Sequence, residues 1–146
     1  MLTRVTGVLV EDDRLLLVEQ EGGGARRWHL PGGKVEEGES LADSMTREMR
    51  EETGLRVEVV RLLYLCDHLV PAEGLHVLHI TFEVRRLGGR LGDIAPGADF
   101  RPILGVEFVP FHELGERGFG ERFVELVAEG FPGAGRYAGP KSALGL

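Results

Sequence analysis

The sequence predicts an α/β/α sandwich built around a mixed β-sheet. Strand-like runs rich in Val and Leu come first, at 3–10 and 14–20. One amphipathic helical stretch follows at 41–53, then further β-like runs at 57–68, 76–86 and 103–110. A second helical stretch at 121–128 closes the pattern, so the sheet has a helix available for each face. The chain has 146 residues and 42% apolar content, which supports one domain with a proper core. That domain is expected over residues 1–130, followed by a Gly/Pro-rich tail at 131–146.

Each element carries its own local signal. Glu11, Asp12 and Asp13 make a polar turn between the first two strands. Glu21 to Ala25 is a glycine-rich loop, and Trp28 to Leu30 is a short extended piece ahead of Pro31-Gly32-Gly33. Ser40 is a good N-cap with Asp43 three residues on, and Gly54 ends the helix. Val70-Pro71-Ala72-Glu73-Gly74 joins two β-like runs as a hairpin turn. Gly88 to Ala98 reads as loop, and Phe111 to Leu114 as a short helical turn.

The helix at 41–53 departs from a stability-driven design. Glu48, Glu51 and Glu52 lie three and four positions apart, so they are neighbours on its surface. Each like-charged pair costs about 0.2–0.5 kcal/mol in an isolated helix. Glu51 and Glu52 also sit in the last turn, at the negative end of the macrodipole, where bases are preferred. At about 100° per residue, Leu41, Ala42, Met45 and Met49 form the apolar sector. Glu52 projects between Leu41 and Met45, Glu48 lies beside Leu41, and Glu51 follows on the same flank. Asp43, Thr46 and Arg50 take the far side. Carboxylates that border a buried face suit a hard divalent cation, which draws several oxygen ligands to one place.

These residues fall in a register of glycine (Gly33), five residues, Glu39, seven residues, Arg47-Glu48-Met49-Arg50-Glu51-Glu52-Thr53-Gly54-Leu55. The register resembles the signature of the Nudix hydrolases at every fixed position. Trp28-His29-Leu30-Pro31-Gly32-Gly33-Lys34 is similar to the entry into that box in the MutT-like branch. The resemblance implies the Nudix fold over residues 2 to about 130, and Mg²⁺-dependent cleavage of the diphosphate linkage in a nucleoside diphosphate derivative. A nucleoside triphosphate and a nucleotide sugar or ADP-ribose are the two substrate types. It implies a catalytic set of Glu48, Glu51, Glu52, Arg47 and Glu39, in which Arg47 and Glu39 hold the others in place. Glu48, Glu51 and Glu52 are then the metal ligands, joined by the Gly33 carbonyl, with Mn²⁺ as the second candidate ion. The competing reading is a catalytically silent nucleotide-sensing module of the same fold; such modules usually lose box acids, and here all are present.

Other residues are weaker candidates. Glu52, Glu73, Asp93 and Asp99 are candidates for the general base, and a solvated loop acid is the simpler reading of the last three. Lys34 and Trp28 are candidates for substrate binding, against a solvated turn lysine and a core or loop anchor. Arg4, Arg26 and Arg27 are candidates to offset acidity at the substrate entrance. Phe100 reads as core before the strand near Ile103. His76 and His79, three apart in a strand, face opposite sides and form no metal pair. Pro71, 16 residues after Leu55, resembles a feature of ADP-ribose pyrophosphatases, and the hairpin turn explains it without a ligand.

The net charge of −7 argues against a nucleic-acid polymer and leaves room for a small phosphorylated ligand. The lone Cys66 excludes an internal disulfide framework and fits a reducing compartment. Neither a leader pattern nor a membrane-length apolar run is present, so a soluble cytoplasmic protein is expected. The tail carries Phe131, Tyr137, Leu144 and Leu146 among glycines and prolines, a composition that builds no helix or strand on its own. Burial of those side chains predicts that it folds back on its own domain or packs on a second copy in a homodimer; the alternative is a disordered terminus.

Overall fold

The strand at Arg14–Gln20 shows how the layers arise. Leu15, Leu16 and Leu17 are all fully buried, although successive strand residues point to opposite faces. Leu15 and Leu17 pack with Phe119, Phe123 and Leu126, whereas Leu16 packs with Met45 and Met49. A strand apolar on both faces must be covered on both, and each face has its own helix. The computed structural model describes residues 1–21, 26–96 and 102–146, with residues 136–140 given as backbone only. Residues 22–25 of the expected glycine-rich loop, Asp99, Phe100 and the Tyr137 side chain lie outside the described residues.

The strands are β1 (Leu2–Val8), β2 (Val10–Glu11), β3 (Arg14–Gln20), β4 (Trp28–His29) and β5 (Gly32–Lys34), then β6 (Leu55–Val70), β7 (Leu75–Gly89), β8 (Ile103–Pro110) and β9 (Arg136–Pro140). The helices are α1 (Leu41–Thr53) and α2 (Glu121–Ala128). One sheet has the order β5-β1-β7-β6-β9. In it β1/β7 and β6/β9 are parallel, while β1/β5 and β6/β7 are antiparallel. The second is antiparallel, with β3 pairing β2, β4 and β8. This is the mixed α/β arrangement that the element order predicts.

Several boundaries differ from the sequence reading, each for a tertiary reason. The first expected strand breaks at Leu9, and Asp12 and Asp13 adopt φ of 52° and 55° in the turn that joins β2 to β3. Positive φ at both central residues is the two-residue hairpin geometry that matches strand twist, and Asp tolerates it. β7 runs on to Gly89, because Gly88 and Gly89 pair with Arg56 and Leu55 at the start of β6. The loop after it then caps α1: the backbone N–H groups of Arg90, Gly92 and Ala95 donate to the carbonyls of Gly54, Thr53 and Glu51. Those last-turn carbonyls are the ones a helix cannot satisfy internally. The tail builds a strand after all, pairing β9 alongside β6, and Leu144 beyond it is buried with Phe123 and Phe131. Among the described residues no helix is long and apolar enough to cross a membrane.

Candidate active site

The site begins with how α1 is set. The Ser40 hydroxyl accepts from the Asp43 N–H at 3.1 Å, and Gly54 closes the helix at φ 82°, so both ends follow the local signals. Its buried residues are Ser44, Met45, Glu48, Met49, Glu52 and Thr53. Leu41, expected in the apolar sector, is 38% exposed and Ala42 is exposed too. A helical projection gives the angle of a residue around the axis, not whether a neighbour stands at that height. The consequence for the acids is larger: Glu48 and Glu52 are buried at 7% and 2% exposure, not merely at the border.

β5 explains how two carboxylates tolerate this. Gly33 lies against Glu48, so a Cβ there would land on the Glu48 carboxylate. At Gly32 a Cβ would run into the Val5 carbonyl on β1, and the Gly32 N–H donates to Glu52 Oε1 at 2.8 Å in a buried hydrogen bond. The double glycine therefore brings bare backbone to both acids. On the other flank stands Arg47. It forks onto Glu39 with Nε at 2.6 Å and Nη2 at 2.9 Å, and its Nη1 reaches Glu48 at 2.9 Å and Glu51 at 3.2 Å. Nη2 also donates to the Lys34 carbonyl at 3.2 Å, tying α1 to β5. A planar fork of fixed donors suits this multiple role in a way that lysine does not. One guanidinium thus neutralises much of the crowding that the sequence presents.

The electrostatics split the acids. Two donors, Arg47 and the Glu36 N–H, hold the Glu39 carboxyl down to about 2. Glu48 is pushed up by burial, a shift that the attraction of Arg47 only partly offsets. The signs are opposite. Glu39 contributes stability above the ordinary carboxylate range, lost as pH falls toward 2. Glu48 favours folding while protonated at low pH and opposes it as pH rises through its raised value. Glu48→Gln in EDTA should therefore melt at or above the parent temperature at pH 8, and the difference should vanish below about pH 4. Thermal scans at both pH values check this; a loss of more than about 5 °C at pH 8 would show that the charge supports the fold.

Two cavities flank the acids. An open cleft of about 950 Å³ is lined by Lys34, Glu36, Arg47, Glu48 and Glu51 among others. A deeper cavity of about 440 Å³ is lined by Glu52, Gly32, Arg4, Arg26, His79 and Lys141 among others. Glu48 and Glu52, one helical turn apart, thus open onto different spaces, with the Gly32–Gly33 backbone between them. Among the described residues no three His, Cys, Asp or Glu side chains share a ready coordination point, since Arg47 stands between Glu48 and Glu51, and Glu52 is turned to Gly32. The donor set nonetheless fits a hard cation in kind: carboxylate oxygens and a backbone strand with no side chain in the way.

The remaining candidates scatter. Lys34 is exposed and lines the open cleft. Trp28 packs against the α2-side core and carries the Arg117 guanidinium 4.3 Å above its ring, as a loop anchor does. Asp93 is exposed in the loop that caps α1, and Glu73 is exposed at the β6–β7 turn. Arg27 pairs with Glu19 at 2.8 Å, away from the acids, while Arg4 and Arg26 enter the deep cavity. His76 pairs with Asp67 at 2.8 Å on the other face of β7 from His79. Sequence reading missed Lys141 and gave His79 no binding role; neither has a local signal, because only pairing of β6, β7 and β9 brings them to one wall.

Comparison with known proteins agrees with the geometry. The sequence model of the NUDIX domain matches residues 1–128, so the chain belongs to the Nudix family. It is similar to an ADP-ribose pyrophosphatase of Methanocaldococcus jannaschii, 35% identical over 99 residues that cover 66% of this chain and 59% of that protein. The chain thus spans less than two thirds of that relative's length. Among solved structures, a NUDIX hydrolase from Nitrosomonas europaea superposes with a TM-score of 0.71 at 25% identity, over 87% of this chain and 85% of that one. A UDP-X diphosphatase superposes with a TM-score of 0.69 at 26% identity, over 93% and 66%.

Proposed function

We propose that this protein hydrolyses the diphosphate linkage of a small nucleoside diphosphate derivative with the help of a divalent cation, Mg²⁺ first and Mn²⁺ second. The observation that carries the reading is the ridge made by Glu48, Glu52 and the Gly32–Gly33 backbone, with one cavity on each side. A diphosphate laid across that ridge has space for a group at either end. Glu48, Glu51, Glu52 and the Gly33 carbonyl would hold the cation, whose part is to neutralise the diphosphate and acidify a water. The chain's own share is positioning: Arg47 and Glu39 fix the acids, Gly32 orients Glu52, and the cavity walls set the two substituents. Glu52, buried beside the ridge, is the best placed general base among the described candidates. The names of the similar proteins favour a nucleotide sugar or ADP-ribose as the first substrates to try.

The test is a panel of nucleoside triphosphates, ADP-ribose and nucleotide sugars with Mg²⁺, Mn²⁺ or EDTA, read as nucleoside monophosphate and phosphate release. Metal-dependent release from at least one class supports the reading. Binding across the panel with no turnover would instead favour the sensing module, in which Arg47 simply keeps the acids neutralised. Mg²⁺ alone should also raise the melting temperature by mass action, and less so for Glu48→Gln.

A further inference from the structure

Three cationic side chains, Arg4, Arg26 and Lys141, line the deep cavity beside one glutamate, Glu52. Five arginines elsewhere in the chain are paired with glutamates: Arg27 with Glu19, Arg61 with Glu83, Arg85 with Glu58, Arg86 with Glu11 and Arg117 with Glu107. Arg4, Arg26 and Lys141 line one cavity and make no ion pair among the described residues. Glu52 is the one acidic side chain lining that cavity among the described residues, and it receives the Gly32 N–H; the C-terminal residue Leu146 lines the cavity as well. Arg26 stacks on Phe119 at 4.3 Å, and its Nη1 is buried with no hydrogen-bond acceptor. His79 Nε2 is likewise buried and unpartnered. Burial and the nearby Lys141 and Arg4 hold that imidazole neutral, down to about 3, so the ring keeps an N–H to give without adding charge. Desolvated charges without partners are costly, and an anion removes the cost.

Lys141 comes from the tail. It follows β9, which pairs with β6, and lies beyond the residues that match the family. The 3-10 turn that it opens is pinned by buried Leu144 and by the Gly120 N–H donating to the Gly145 carbonyl at 2.8 Å. The tail therefore delivers a cation to a cavity lined mostly by the preceding residues.

Resting on the hydrolase reading above, we propose that this cavity is an anion subsite completed by the tail, in which Arg4, Arg26 and Lys141 select substrates whose diphosphate ends in a further phosphate group. The shared chemistry is a terminal phosphate dianion, whether the last phosphate of a nucleoside triphosphate or the phosphate of a phosphorylated sugar. Charge-assisted contacts to phosphate are the strong ones, and a half-buried lysine is a fit point charge for it.

The experiment titrates the full chain in EDTA with inorganic pyrophosphate, by calorimetry, for the parent, Lys141→Met and Lys141→Arg, after thermal scans show each to be folded. Lys141→Met should bind about tenfold more weakly, and Lys141→Arg should recover most of the loss. With metal present, Lys141→Met should lower kcat/KM for phosphate-terminated substrates about tenfold relative to a nucleotide sugar with an uncharged end. Triphosphate and sugar-phosphate arms tell the two sources apart. Equal pyrophosphate affinity in parent and Lys141→Met overturns the subsite, as does tighter binding of an uncharged nucleoside that pyrophosphate fails to displace. Lys141-dependent binding with no hydrolysis of any substrate keeps the subsite and sinks the hydrolase reading; hydrolysis indifferent to Lys141 does the reverse.

Discussion

Glu52→Gln should lower kcat/KM about 10²- to 10⁴-fold while leaving the melting temperature within a few degrees of the parent. Glu52 is 2% exposed, so the replacement must fit the same space, and Gln does. The amide oxygen can still accept the Gly32 N–H that Glu52 accepts at 2.8 Å. What disappears is the negative charge beside the ridge, and with it both a cation ligand and a proton acceptor. Because shape and hydrogen bond persist, a rate loss in this variant reports chemistry. A rate within tenfold of the parent on the preferred substrate would remove Glu52 from the mechanism.

Gly33→Ala should displace the Glu48 carboxylate and lower both stability and rate. The new methyl group would occupy the position of the Glu48 carboxylate, which is buried and held by Arg47. Overpacking of this kind costs about 1–3 kcal/mol, and a displaced catalytic group costs about 10²-fold in rate. Gly115→Ala is the matched control, since a Cβ there meets nothing within 4 Å. Melting scans and steady-state kinetics on both variants decide the matter. If Gly33→Ala behaves like Gly115→Ala, the close approach of β5 to Glu48 is not part of the working site.

Much of this was legible in the chain because the determinants are short-range. The limits of α1 follow from Ser40 at one end and Gly54 at the other, both acting through bonds to neighbours within four residues. The register that brings Glu39 to Arg47 spans eight residues, and the pair is made at 2.6 Å. β3 was legible as a strand from its Val- and Leu-rich run, and its burial on both faces follows from the helix that covers each side.

What the sequence determined by itself, then, is the two helices, the main strands and the family, because caps, periodicity and motif spacing act through neighbours along the chain. Only the tertiary structure decided that Glu48 and Glu52 open onto separate cavities, since a helical projection contains no β5 to stand between them. It also decided that a glycine-rich tail becomes a strand, because β6 offers a free edge whose backbone groups need partners. Arg4, Arg26, His79 and Lys141 meet at one wall from positions spread along nearly the whole chain. No local pattern links such residues; sheet pairing and core packing bring them together.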